Sequence, residues 1–303
     1  MKKYFVLLFI TLCFVCCDEK NPVIPNEPGT QPSVPVPPTT EEGPVVLRSR
    51  AADGDFAKGD CVGVYMVNYL DGQHVPLKSS GNYIDNWKFL YDGEGSWAAD
   101  QKLYYKDEET AADFYAYHPY SDIADATGHD VSVPYDQSAE SDYEKADFLW
   151  GNALNCIPST DPVDITLEHM MSKAVVVLKP GTGFTEEELI AAAPVVRFLD
   201  MKCDASFNLG TGELSVAESE RSVTPNQSSA LTYQAILVPQ SVEDKDVVEV
   251  MIGESVYKLR RTVVFEKGKE YTFTVTIQRT EGGVSVGIGS WDLVGEDFGG
   301  VVS

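Results

Sequence analysis

Four histidines and a large surplus of carboxylates are the groups in this chain that could move protons or hold a metal. His74, His118, His129 and His169 are scattered, without the short spacings that let two imidazoles share one ion. There is no G-x-S-x-G elbow, no H-E-x-x-H pair, no phosphate loop and no G-x-G-x-x-G fingerprint. Gly287-Ile-Gly289 lies in a strand-like run and lacks the helix that a dinucleotide site needs. Asp136, Glu140, Asp142, Glu144 and Asp147 crowd one stretch, but without the glycine and ligand spacing of a calcium loop, so a solvated acidic face is the simpler reading. No catalytic site, metal centre or cofactor is expected. Trp87, Phe89, Tyr91 and Trp97 could form a sugar-stacking platform, with Trp87 and Trp97 as its candidate contacts. Core packing and cross-strand pairing are the more ordinary uses of such residues. His118, stopped by Pro119, reads as a hydrogen-bonded strand end, and His169 as a packed or capping residue.

The remaining candidate chemistry stands at the start of the chain. Lys2 and Lys3 precede an apolar run from Tyr4 to Val15, broken only by Thr11, and Cys16, Cys17, Asp18, Glu19 and Lys20 follow. The run is shorter than the roughly 20 apolar residues that cross a bilayer, and reads as a secretory signal. Its end resembles the lipobox of bacterial lipoproteins, which implies cleavage after residue 16 and a lipid on Cys17. Phe14 and Cys16 depart from the lipobox preference for Leu and for Gly, Ala or Ser at those places. A plain signal peptide with incidental cysteines is the alternative. Cys61, Cys156 and Cys203 are then the remaining thiols. Their odd number and wide spacing indicate neither a disulfide framework nor a zinc site, and they read as small buried hydrophobes.

The elements that would position these groups follow from composition and pattern. The chain has 303 residues, 43% of them hydrophobic, enough for two ordinary domains. Its 47 acidic and 23 basic side chains give a formal charge of −24, which repels nucleic acid and anionic membranes. Membrane attachment is therefore expected through lipid alone. Residues 17–46 form a tether holding eight of the 17 prolines. At about 3.1 Å per residue it reaches up to roughly 90 Å. From Val45-Val46-Leu47 onward the pattern is strands almost throughout. Asp60 to Tyr69, Ala111 to Tyr117 and Ala174 to Leu178 read as strands, and so does Lys102 to Tyr105. Thr185 with Glu188 makes a capping box for the one expected short helix. Gly210-Thr211-Gly212 and Glu281-Gly282-Gly283 read as hairpin turns. Many short strands and one helix predict an all-β chain of sandwich architecture.

Several ordered pieces carry a resemblance. They are FAKGDCVGVY from Phe56, ADFYAYHPY from Ala112, DFLWG from Asp147, LEHMMSK from Leu167, YQAILVPQ from Tyr233 and FEKGKEYTFTVTI from Phe265, closed by Ser290-Trp291. Over about Leu47 to Ser303 the chain resembles the Bacteroidales fimbrillin-like surface lipoproteins of the Mfa-like, FimA superfamily. The resemblance implies two tandem transthyretin-like β-sandwiches, residues 47–165 and 166–303, and a non-enzymatic role at the outer-membrane surface or in a fimbrium. It further implies other fimbrial subunits as partners, with a surface receptor as a further one, and assembly by β-strand complementation. In polymerising members an Arg-specific protease cuts after a first strand. Arg48 and Arg50, placed after the apolar Val45 to Leu47, match such a site in type and place. Two solvated arginines in an uncut linker are the plain alternative. The C-terminal run from Gly295 to Ser303 is a candidate donor or closing strand. The other class of function compatible with the residues is a monomeric glycan-binding surface lipoprotein.

Overall fold

The structure, a computed structural model, describes residues 47–51, 56–99, 101–280, 283–287 and 296–297. The described residues form an all-β chain with two short helices. The first half holds β1 (Leu47–Ala51), β2 (Cys61–Asn68), β3 (Ile84–Tyr91), β4 (Trp97–Ala99), β5 (Ala112–His118), β6 (His129–Ser132), α1 (Glu140–Lys145), β7 (Leu149–Cys156) and β8 (Val163–His169). The second half holds β9 (Ser172–Pro180), α2 (Glu186–Ala191), β10 (Val195–Lys202), β11 (Asp204–Asn208), β12 (Glu213–Val216), β13 (Glu220–Val223) and β14 (Asn226–Ser229). It continues with β15 (Thr232–Leu237), β16 (Gln240–Ile252), β17 (Ser255–Phe265), β18 (Lys269–Thr280), β19 (Gly283–Gly287) and β20 (Glu296–Asp297).

Seven strands make the first sheet, in the order β1-β8-β7-β5-β2-β3-β4. Both of its faces are covered, which explains the nearly unbroken apolar runs of β2 and β5. Val62, Val64 and Met66 enter one core, with Phe114, Ile165 and Leu167. Tyr65 and Val67 on the alternate positions enter a second core, with Tyr115 and Tyr117. β5 splits the same way, with Phe114 and Ala116 in the first core and Tyr115 and Tyr117 in the second, as the alternation of a strand requires. The far end of this sheet returns close to its start, so that β4 comes near β1. The first core is thus enclosed by one curling sheet.

The second core is walled by three further sheets. These are β13-β10-β16-β17, β12-β11-β6, and β14-β15-β9-β18-β19 with β20 added on β18. β6, from the first half of the chain, pairs antiparallel with β11, from the second. A buried glutamine adds another tie across the same halves. Gln137 Nε2 donates to the Ile236 carbonyl at 2.8 Å, and its Oε1 accepts from the Ile236 amide at 2.9 Å.

Local signals account for most elements. At α2 the Thr185 side chain accepts from the Glu188 amide at 3.2 Å, and the Glu188 carboxylate accepts from the Thr185 amide at 3.0 Å. Gly212 turns the chain from β11 to β12 at φ 71°, and the Trp150 ring lies where a Cβ would stand, 2.6 Å away. Trp150 in turn donates through Nε1 to the Leu209 carbonyl at 2.9 Å.

Two expectations differ from the fold. Two short helices stand where one was expected, because the acidic stretch after Asp136 holds α1; Glu140 and Asp142 sit in its first turn, where the helix dipole favours negative charge. Lys102 to Tyr105 joins no ladder, although Leu103 and Tyr105 are buried in the first core. Their apolar alternation reflects packing under the sheet, not strand pairing.

The buried face of β6 predicts acid sensitivity. The His129 ring lies 5.8 Å from both Tyr117 and Phe148, and burial pulls its pKa below the ordinary histidine value, opposed weakly by Asp130. The unfolded chain takes up this proton at a higher pH than the folded chain does. Stability is therefore full above the ordinary histidine value and falls as pH drops through it. His129→Phe, which keeps the ring contacts, is expected to reduce the loss of stability between pH 7.5 and 5 in denaturant titrations. An unchanged pH slope would remove His129 as a cause.

Candidate assembly site

The structure places the two candidate arginines at one edge of the first sheet. β8 alternates strictly, with Val163, Ile165 and Leu167 buried and Asp164, Thr166 and Glu168 exposed. Along it β1 runs parallel, with Leu47 beside Val163, Arg48 beside Asp164, Ser49 beside Ile165, Arg50 beside Thr166 and Ala51 beside Leu167. The strand thus extends beyond Leu47, and both arginines lie inside the ladder where they were expected to follow it. Val45 and Val46 are outside the described residues, as is Cys17. Among the described residues β8 is the one hydrogen-bonded neighbour of β1. A short strand with a single neighbour at a sheet edge is the least secured kind of strand and a natural place for strand exchange.

Downstream of β1 the chain is pinned at once. Phe56 seats edge-on against Trp97, with centroids 4.9 Å apart, and against His118 at 5.4 Å, with Tyr91 at 6.2 Å. Asp60 accepts from the Ala57 amide at 2.7 Å, and Gly59 donates to the Tyr91 carbonyl at 3.1 Å. His118 Nδ1 donates to the Cys61 carbonyl at 3.0 Å, which fits its expected role as a strand-end corner. Aromatic edge-to-face contacts of this kind are worth about 0.5–1.5 kcal/mol each beyond burial. Phe56 therefore fixes where β2 begins and how far the segment before it can travel.

The two tryptophans considered for sugar stacking are placed differently. Trp97 is 8% exposed, its faces taken by Phe56 and Tyr91. A sugar ring cannot reach it. Trp87 is half-buried and packs against the same core. Sequence proximity suggested a shared surface, but β3 and β4 turn these rings toward the core. Trp97→Ala is expected to cost about 3–5 kcal/mol of stability, read by chemical denaturation. A near-neutral effect would show that the ring is not a core member.

Histidines and cysteines are also assigned by the geometry. Asp113, fully buried, accepts from His74 Nδ1 at 2.8 Å and from the Asn155 amide at 2.7 Å. Asp147 accepts from His169 Nδ1 at 2.8 Å. Cys61, Cys156 and Cys203 are free thiols. Only Cys203 is buried, and burial pushes its thiol up to about 11. Cys61 and Cys156 are half-buried at the start of β2 and the end of β7, unlike the full burial expected. Among the described residues no group of three or more His, Cys, Asp or Glu is placed to hold a metal ion, and no helix is long and apolar enough to cross a membrane. Sequence reasoning missed Phe56, Asp113 and Asp147. The FAKGD stretch carried the first in its pattern, but no local feature marks the other two.

The described residues thus form an all-β chain in which β1 lies at the edge of the first sheet beside a buried core. The fimbrillin-like family model matches residues 49–291, and the chain belongs to that family. It is 23% identical over 259 residues, 81% of this chain and 82% of the relative, to a Bacteroides uniformis protein named "Putative fimbrium subunit Fim1C". Two solved structures share the fold. One, a cell adhesion protein of Bacteroides uniformis by its description, gives a TM-score of 0.64 at 22% identity, covering 84% of this chain and 98% of that one. The other, described likewise and from Bacteroides ovatus, gives 0.65 at 18% identity, covering 86% and 99%.

Proposed function

We propose that this chain is a fimbrial subunit or anchor, carried at the outer-membrane surface by a lipid on Cys17 and assembling by β-strand complementation at the β1 site. The observation that carries the reading is β1 itself. Among the described residues it has one hydrogen-bonded neighbour, it runs parallel to it, and that neighbour buries Val163, Ile165 and Leu167 beneath the shared edge. Loss of β1 leaves an apolar slot with an unpaired backbone edge, and an extended strand from another subunit has the shape and hydrogen-bonding groups to fill it. The family membership and the fimbrial name of the relative support the same reading. On it the chain consists of a signal peptide (1–16), a tether (17–46) and two transthyretin-like sandwiches, read from the sequence as 47–165 and 166–303, with β8 (Val163–His169) running across that boundary as part of the first sheet. Its partners are other subunits and a surface receptor.

Arg48 and Arg50 are the processing residues in this scheme. A cut after Arg50 removes the lipid, the tether and four of the five residues of β1 together, and a cut after Arg48 removes the lipid, the tether and the first two. Uncut, the chain stays on the membrane as an anchor. The test is to treat the purified non-acylated chain with an Arg-specific protease and follow mass and size. The expected result is a new N-terminus at Ser49 or Ala51, with concentration-dependent oligomers. A cleaved chain that stays monomeric at every concentration would sink the polymerising role and leave the anchor. The glycan-binding alternative is weakened by the burial of Trp97.

A further inference from the structure

Both arginines lie within the hydrogen-bonded ladder, since every residue from Leu47 to Ala51 has a register partner on β8. An endoprotease takes its substrate as an extended strand and uses the backbone groups on either side of the scissile bond. Along β1 the backbone groups alternate between β8 and the open side, so the docked strand offers a cleft that grips both sides of its substrate only about half of the groups it needs. On the downstream side only residues 52–55 separate β1 from Phe56, which is seated among Trp97, His118 and Tyr91. That short link gives the strand little freedom to bulge into a cleft while it remains docked.

We propose that β1 guards its own cut sites: Arg48 and Arg50 are reached only when β1 lifts off β8, so the opening equilibrium of this edge strand sets the rate of processing. The proposal rests on the Arg48 and Arg50 processing put forward above. Edge strands open locally at far smaller free energies than the whole domain, so opening does not require unfolding. Before the cut, the anchored Phe56 keeps β1 at high effective concentration beside its slot, and it closes again. After the cut that tie is gone and the freed strand diffuses away. The guard thus keeps the slot filled until the moment of processing.

Three substrates for an Arg-specific endoprotease decide the matter: a peptide spanning residues 44–55, the full folded chain, and the full chain carrying Leu47→Cys with Val163→Cys. Leu47 and Val163 are register partners, so the disulfide ties β1 to β8. The folded chain is expected to be cut at least about tenfold more slowly than the peptide. That ratio should equal the hydrogen-exchange protection of those amides of residues 48–51 that donate to β8 in the same chain. The oxidised double variant is expected to be slower by at least about tenfold again, with the rate restored by reductant. Equal rates for peptide and folded chain, or for the oxidised and reduced variant, overturn the guard. The exchange measurement needs no substitution and decides the question if the double variant does not fold. A folded chain that resists cutting altogether while the peptide is cut supports the guard and counts against processing of the folded subunit. A folded chain cut as fast as the peptide sinks the guard and leaves processing standing.

Discussion

A chain that begins at Ala52 is expected to lose on the order of 3 kcal/mol of stability and to gain an affinity for extended strands. The size of the loss follows from β8. Val163, Ile165 and Leu167 are 6%, 2% and 0% exposed with β1 in place. Full burial of such side chains is worth about 1.5–3 kcal/mol each, and partial exposure of three sacrifices a fraction of that sum. Against a total of about 5–15 kcal/mol the loss is severe but survivable. The two gains are separable. Size-exclusion with light scattering should show oligomers that grow with concentration. A synthetic peptide of residues 45–52 should dissolve them and restore the melting temperature. A truncated chain as stable as the original, monomeric and indifferent to the peptide, would show that β1 is not an exchangeable strand.

Gly63→Ala is expected to be nearly as damaging, for a reason internal to the first sheet. A Cβ at Gly63 would collide with the Tyr117 ring and stand 2.6 Å from Asn86 Oδ1. The ring cannot give way cheaply. Its hydroxyl lies 2.7 Å from both Asn86 Oδ1 and the Ser121 carbonyl, which share its one proton, and the ring is fully buried in the second core. Overpacking of this kind costs about 3 kcal/mol where no neighbour relaxes. Adding Tyr117→Leu to Gly63→Ala should recover part of the loss, because the clash disappears with the ring, whereas independent sites would give additive losses. Strict additivity in equilibrium denaturation would mean that the two residues do not press on one another.

Which features were legible in the sequence depended on how far their causes lie apart along the chain. The two faces of β5, the Thr185 capping box and the Gly210 to Gly212 turn are each set by neighbours a few residues away, and each reads directly from spacing. β1 does not. Its composition announces a strand near Val45, but its end and its parallel register are dictated by β8, distant in sequence, so the arginines were expected after the ladder and lie within it. The histidine partners are similarly remote: Asp113 is 39 residues from His74, and Asp147 is 22 from His169. For Trp97 the sequence left core packing, the more ordinary use, beside a stacking role, because nothing near it in sequence reveals that Phe56 packs against it. At Lys102 to Tyr105 the local pattern misled in the other direction, since alternation marks one-sided burial whether or not a ladder forms.

The mature N-terminus of the protein taken from surface assemblies on cells tests the central claim most directly. Intact-mass and N-terminal peptide analysis of the assembled subunits is predicted to find Ser49 or Ala51 as the first residue in the polymer, with acylated Cys17 confined to the membrane-bound fraction. Assembled subunits that all retain Cys17, its lipid and an intact β1 would contradict assembly through the vacated edge of β8.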